Sequence, residues 1–226
     1  MLLPKTIAID GPAASGKSTL GKKLADKLGY LFLDTGVMYR AITWIAIQRR
    51  IPVQDEIAVT DLAENTVVDV RPPSQVNGRN CDILADGHDV TWQIRYPEVD
   101  SSVSLVSSYA GVRRALTAQQ RQIGLRGKVV LVGRDIGTVA LPEAEVKIYL
   151  EASAEERARR RTLEILERGG QASFEEILAG MCKRDQIDSS REIAPLRPAE
   201  DAIILNTDEM NADQVMAYVM ELIDKT

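Results

Sequence analysis

At 226 residues with 45% hydrophobic content, the chain is long enough to bury a full core as one large domain, or as one domain carrying an insertion. A net charge of −5 speaks against a broad surface for a nucleic acid polymer, which calls for a basic domain. One histidine, His88, and two cysteines, Cys81 and Cys182, provide neither metal-ligand spacing nor a disulfide framework, so reduced thiols are expected. Residues 1–5 lack a leader pattern and no apolar run approaches ~18 residues, so a cytoplasmic protein without a membrane span is expected.

The first apolar run, 6–10, is short and rich in β-branched residues, as in a buried strand. Directly after it, Gly11, Pro12, Ala13, Ala14, Ser15, Gly16, Lys17 and Ser18 match G-x-x-x-x-G-K-[ST]. Leu20, Leu24 and Leu28 then recur every four residues as the inner stripe of a helix. The glycines therefore lie in a strand-to-helix turn, where backbone N–H groups wrap the β-phosphate of a nucleoside triphosphate. Lys17 adds a point charge at the β- and γ-phosphates, the Ser18 hydroxyl is a ligand for Mg2+, and Thr19 completes the nucleotide-binding set.

A second strand, 31–34, runs into Asp34, Thr35 and Gly36, with Tyr39 and Arg40 following; a hydroxyl and a guanidinium thus stand about one helical turn apart at the same rim. Between residues 57 and 104 the rhythm breaks. Short stretches at 67–70 and 81–84, with turn signals at Arg71-Pro72-Pro73-Ser74 and Asn77-Gly78, predict a small antiparallel β/α lobe inserted into a core of 1–56 and 105–226. The strand at 129–132 leads into Gly133, Arg134, Asp135, Ile136 and Gly137. A guanidinium beside a carboxylate at a strand's C-terminal end suits the grip of a second, anionic substrate.

A strand at 146–150 precedes two helices, each opened by a predicted capping box: Ser153 with Glu156, and Ser173 with Glu176. Of Arg157, Arg159, Arg160 and Arg161, at least two are expected on a solvated helix face and one or more at the nucleotide. Arg184, Asp188 and Arg191 are spaced four and three apart and so share one helix face, in an arginine-bearing lid within about 155–195 that precedes Pro195. The last strand, 202–205, is followed by a helix with Val215, Val219, Leu222 and Ile223 inward. Five alternations of strand and helix predict an α/β fold, a five-stranded parallel sheet flanked by helices, with the ligand site at the strands' C-terminal edge.

No Asn-Lys-x-Asp element is present, which counts against a guanine switch protein, and 129–132 does not end directly in a metal-associated Asp. A P-loop kinase acting on a small molecule fits better. The P-loop with its Gly11-Pro12 opening, Leu33 to Gly36 with Tyr39 and Arg40, Gly133 to Thr138, and Lys183 to Asp185 followed by Ile193 to Leu196 resemble, in order and at matching intervals, bacterial cytidylate kinase, including its inserted lobe. The resemblance implies transfer of the ATP γ-phosphoryl group to CMP or dCMP, with Lys17, Arg134 and Arg184 as catalytic residues. It further implies that Arg40, Arg134 and Arg184 hold the acceptor phosphate and the group in flight, with Thr35 beside them. Ser104, Arg113 and Asp135 match positions that contact the base, and Asp188 and Arg191 match positions around ribose and base. With no heptad seam, a monomer is expected. Another small-molecule P-loop kinase, a non-catalytic ATP-binding module and a scaffold protein are the competing readings.

Overall fold

Five short apolar runs pair side by side; four are buried on both faces or nearly so, the condition under which a parallel sheet is stable, and the last is a half-exposed edge. In the computed structural model, which describes residues 3–167, 169–191 and 193–224, they are β1 (Thr6–Asp10), β2 (Leu31–Asp34), β6 (Val129–Val132), β7 (Val146–Glu151) and β8 (Ile203–Asn206), in the order β2-β6-β1-β7-β8. All four pairings are parallel. β8 starts one residue later than expected, set by the register Ile148 to Ile203, and as an edge strand it leaves Ile204 exposed.

Alternation along the strands separates two cores. Ile7 and Ile9 of β1 and Val130 and Val132 of β6 face α1 (Lys17–Leu28) and α8 (Ala212–Ile223), forming a cluster with Leu20, Leu24, Val215 and Val219. Ala8 and Leu131 face the other way, toward α2 (Gly36–Gln48), α3 (Glu56–Glu64) and α5 (Ala110–Gly124). That second core is continuous with the apolar interior of the region that broke the rhythm, through Val70, Ile83 and Ile94.

In that region β3 (Val68–Arg71), β4 (Asp82–Ala85) and β5 (His88–Asp89) make an antiparallel sheet, followed by α4 (Pro97–Val106). The β4–β5 hairpin turns at Asp86 and Gly87, both with positive φ (48° and 82°), the Asp-Gly signature of a two-residue turn. Asn77-Gly78, singled out in the sequence, lies instead in the longer β3–β4 loop. Arg79, almost wholly buried, fastens this loop by donating at 2.7 Å to both Asp82 and Asp89. Residues 57 and 104, the expected limits of the lobe, fall within α3 and α4.

α6 (Ala154–Glu167) and α7 (Phe174–Ser190) form a packed pair over the C-terminal edge of the sheet. Ser153 and Ser173 cap them, each hydroxyl accepting the N–H three residues on. The reciprocal half of the box does not form at Ser153, whose own N–H goes to Asp208 at 2.7 Å while Glu156 pairs with Arg159 and Arg160. The complete capping box is at Asn211 and Gln214, opening α8. Among the described residues no helix is long and apolar enough to cross a membrane.

Candidate active site

The turn between β1 and α1 is a P-loop in shape as well as in sequence. Gly11 has φ 146°, and a Cβ there would sit 2.2 Å from the Leu150 carbonyl oxygen on the neighbouring strand, so only glycine passes. Gly16, φ 94°, is the N-cap of α1, leaving the helix's first N–H groups facing the loop. Lys17 is buried; its ammonium donates to the Pro12 carbonyl and lies 3.4 Å from Ser15 Oγ. Burial first, and the nearby Arg134 guanidinium second, pull its pKa down to about 7. The Ser18 hydroxyl donates to Asp34 Oδ2 at 2.8 Å, and Asp34 Oδ1 accepts the Gly36 N–H at 3.1 Å, so β2 delivers a carboxylate to the loop's hydroxyl.

Asp10, the residue before Gly11, is 4% exposed, and its carboxylate accepts the Ile136 N–H at 2.8 Å and the Gly137 N–H at 2.7 Å. Burial raises its pKa to about 6, against the lowering by those two backbone donors. The segment it holds is a single π-helical turn, Ile136–Ala140, that follows Arg134 and Asp135. Asp135 is buried, and Arg113 of α5 donates to its Oδ2 at 2.8 Å; the partner is thus Arg113 and not the adjacent Arg134. The Arg113 guanidinium also stands 5.7 Å from the Tyr39 ring centroid.

Arg134 pairs instead with the buried Asp188. The spacing read from the sequence is realised: Asp188 of α7 also has Arg191 at 3.4 Å and Arg184 at 4.0 Å, so one carboxylate faces three guanidinium groups. Burial, then the closeness of like charge, lowers the pKa of both Arg184 and Arg191. Arg157 of α6 is buried and joins three parts of the rim. It donates to the Ala13 carbonyl at 3.2 Å, to the Ala152 carbonyl at 2.9 Å and to Asp185 of α7. Arg159 and Arg161 have the solvated positions expected, paired with Glu156 and Glu164.

Three of the sequence candidates are held apart from this cluster. The Thr35 hydroxyl donates to the Val132 carbonyl at 3.0 Å and so faces the sheet. Arg40 donates to the Ile94 carbonyl at 2.9 Å and pairs with Asp100 at 2.5 Å, binding α2 to the inserted lobe. Ser104 is exposed on α4, its carbonyl accepting from the Ser107 hydroxyl at 3.0 Å. Sequence reasoning missed Asp10, Asp34 and the segment after β8. That segment, with Asp208, joins Ser15, Thr19, Arg159 and Arg160 around a cavity of about 450 Å³ beside the P-loop. The signal was available: residues 207–211 follow a strand at the same sheet edge.

A family model described as "Cytidylate kinase" matches residues 7–225. The chain is 47% identical over 223 residues to the cytidylate kinase of Herpetosiphon aurantiacus, covering 99% of this chain and 96% of that one. It is 48% identical over 221 residues to the cytidylate kinase of Roseiflexus castenholzii, covering 97% and 94%. Among solved structures, an uncharacterized protein from Eubacterium ventriosum shares the fold, with a TM-score of 0.51 at 13% identity over 97% of this chain and 98% of that one.

Proposed function

The chain belongs to the cytidylate kinase family, and from that premise we propose that it transfers the γ-phosphoryl group of ATP to CMP or dCMP, giving ADP and CDP or dCDP. The observation that carries this reading is the meeting of a buried P-loop lysine with an arginine cluster at one sheet edge, where Arg134 and Arg184 share the Asp188 carboxylate and, after burial, add to the lowering of the Lys17 pKa. A module that only bound ATP would have no use for the second anion site.

An oxygen of the acceptor phosphate attacks the γ-phosphorus as the bond to the β,γ-bridging oxygen breaks, and ADP leaves with that electron pair. The attacking oxygen is already ionised at neutral pH, so no base is needed and the work is alignment and charge neutralisation. Lys17 turns from the Pro12 carbonyl toward the β- and γ-phosphates. Arg134 and Arg184 exchange Asp188 for phosphate oxygens, to which guanidinium groups bind in a two-pronged fashion. Arg191 and Asp188 then serve the sugar side, while Asp135, oriented by Arg113, faces the cytosine amino group. A shift of the inserted lobe on closure brings Arg40, tied to that lobe, and Ser104 to the acceptor, while Thr35 keeps its place beside β6.

Ser18 and Asp34 are the residues that would hold Mg2+. Their oxygens converge at 2.8 Å beside the loop, and among the described residues no three acidic, histidine or cysteine side chains gather as a metal cluster. That sparse donor set suits an ion that keeps waters and phosphate oxygens as ligands. An Mg2+ ion held by these two residues would supply positive charge to the triphosphate. A single chain contains every group named, so a monomer is sufficient.

The test is ADP release from ATP and Mg2+ with CMP, dCMP, UMP, AMP, GMP and shikimate offered separately. Turnover is expected to be fastest with CMP and dCMP; none with either would end this reading.

A further inference from the structure

The P-loop and the loop that carries Arg134 and Asp135 lie on adjacent strands, β1 and β6. The link between their ends is Asp10. We propose that Asp10 is a positioning residue for acceptor recognition, its carboxylate fixing the Arg134–Asp135 segment relative to the P-loop. The inference rests on the proposed role of those two residues in holding the acceptor.

Three features carry it. Asp10 spends both oxygens on consecutive N–H groups, Ile136 and Gly137, immediately after Asp135, so the carboxylate sets both position and tilt of that turn. Among the described residues no cation is hydrogen-bonded to this carboxylate, the Lys17 ammonium being turned to the Pro12 carbonyl; a carboxyl this deeply buried, with a pKa pushed up to about 6, is a poor choice for mere filling of space. The turn is also closed from behind. A Cβ on Gly137 would come within 3.4 Å of Asp10 Oδ2 and 3.2 Å of Lys147 Cδ, and Lys147 is anchored by Asp201 at 2.6 Å. The turn is thus held on one side by both Asp10 oxygens and bounded on the other by the Lys147 stem, so its position relative to the P-loop depends on Asp10.

Asp10→Asn keeps the shape but offers one acceptor oxygen, so one of the two N–H groups meets an amide donor. The expected result is a rise of about tenfold in KM for CMP, the scale of one lost buried hydrogen bond. KM for ATP should stay within about twofold, and the preference for CMP over UMP should narrow. A plain structural bracket would lower the melting temperature and move both KM values together, or neither; either outcome in a folded variant overturns the proposal. Should Asp10→Asn fail to fold, Gly137→Ala decides by the same criterion, because it presses on the turn while keeping both hydrogen bonds. Absence of CMP turnover by the unaltered protein would instead strike the proposed function, so the two failures are distinguishable.

Discussion

At the scale of single residues, the Arg113–Asp135 pair is the sharpest chemical feature. An ionised carboxylate facing cytosine accepts from its amino group, whereas uracil would oppose it with a carbonyl oxygen and leave two acceptors without a proton, a mismatch of about 1–3 kcal/mol. Asp135→Asn should therefore lower kcat/KM for CMP by about tenfold or more while lowering the CMP-to-UMP ratio; steady-state kinetics with both acceptors reads this directly, and an unchanged ratio would refute base reading by Asp135. Lys17 has a second consequence. Held at about 7 by burial, below its ordinary 10.5, it is mostly neutral at pH 8. Polyphosphate raises the pKa again, so ATP binding at pH 8 should take up close to one proton, falling toward zero below about pH 6, where the group is already charged. Calorimetry in buffers of different ionisation enthalpy measures the uptake, and Lys17→Met should abolish it. The P-loop residues were legible in the sequence because their partners are contiguous, and Arg184, Asp188 and Arg191 because a helix brings four-residue neighbours together. The Arg113–Asp135 pair spans 22 residues and the Asp10 bracket 126, and no local pattern encodes either.

At the scale of elements, the five strands of the main sheet were readable since each is a short apolar run bounded by helix signals, and errors were confined to one residue at their ends. What escaped was decided by competition for partners. Ser153 keeps its hydroxyl in the cap but gives its N–H to Asp208, a choice made by tertiary neighbours from the far side of β8. Arg157 belongs to the same class. Its sequence neighbourhood reads as a solvated arginine run, yet it is the buried tie between the P-loop, the end of β7 and α7. Arg157→Ala should thus cost about 2–3 kcal/mol, less than a fully buried pair because Asp185 is partly exposed. It should also raise KM for ATP and CMP alike, since it loosens the P-loop and α7 together; denaturant titration and kinetics check the two effects.

At the scale of the whole molecule, guanidinium groups tie the helix pair α6 and α7 to the rest of the site: Arg157, paired with Asp185 inside the helix pair, donates outward to the Ala13 and Ala152 carbonyls, and Arg134 reaches Asp188 of α7. Phosphates compete for the same guanidinium groups, so filling both substrate sites should redraw these attachments and close the helix pair. Small-angle scattering with and without a bisubstrate analogue should show a fall in the radius of gyration; identical curves would count against closure. The two sides of the sheet differ in a way that bears on how such a protein can change over time. The cavity beside the P-loop is founded on Leu20 and Val215, members of one core, whereas Tyr39 and Ile136, beneath the Arg113–Asp135 pair, belong to the other. The sheet is a partition between them. On the proposed function, the packing under the donor side and under the acceptor side can therefore vary by separate substitutions, while the contact of Asp10 with the segment after β6 keeps the two sides in register.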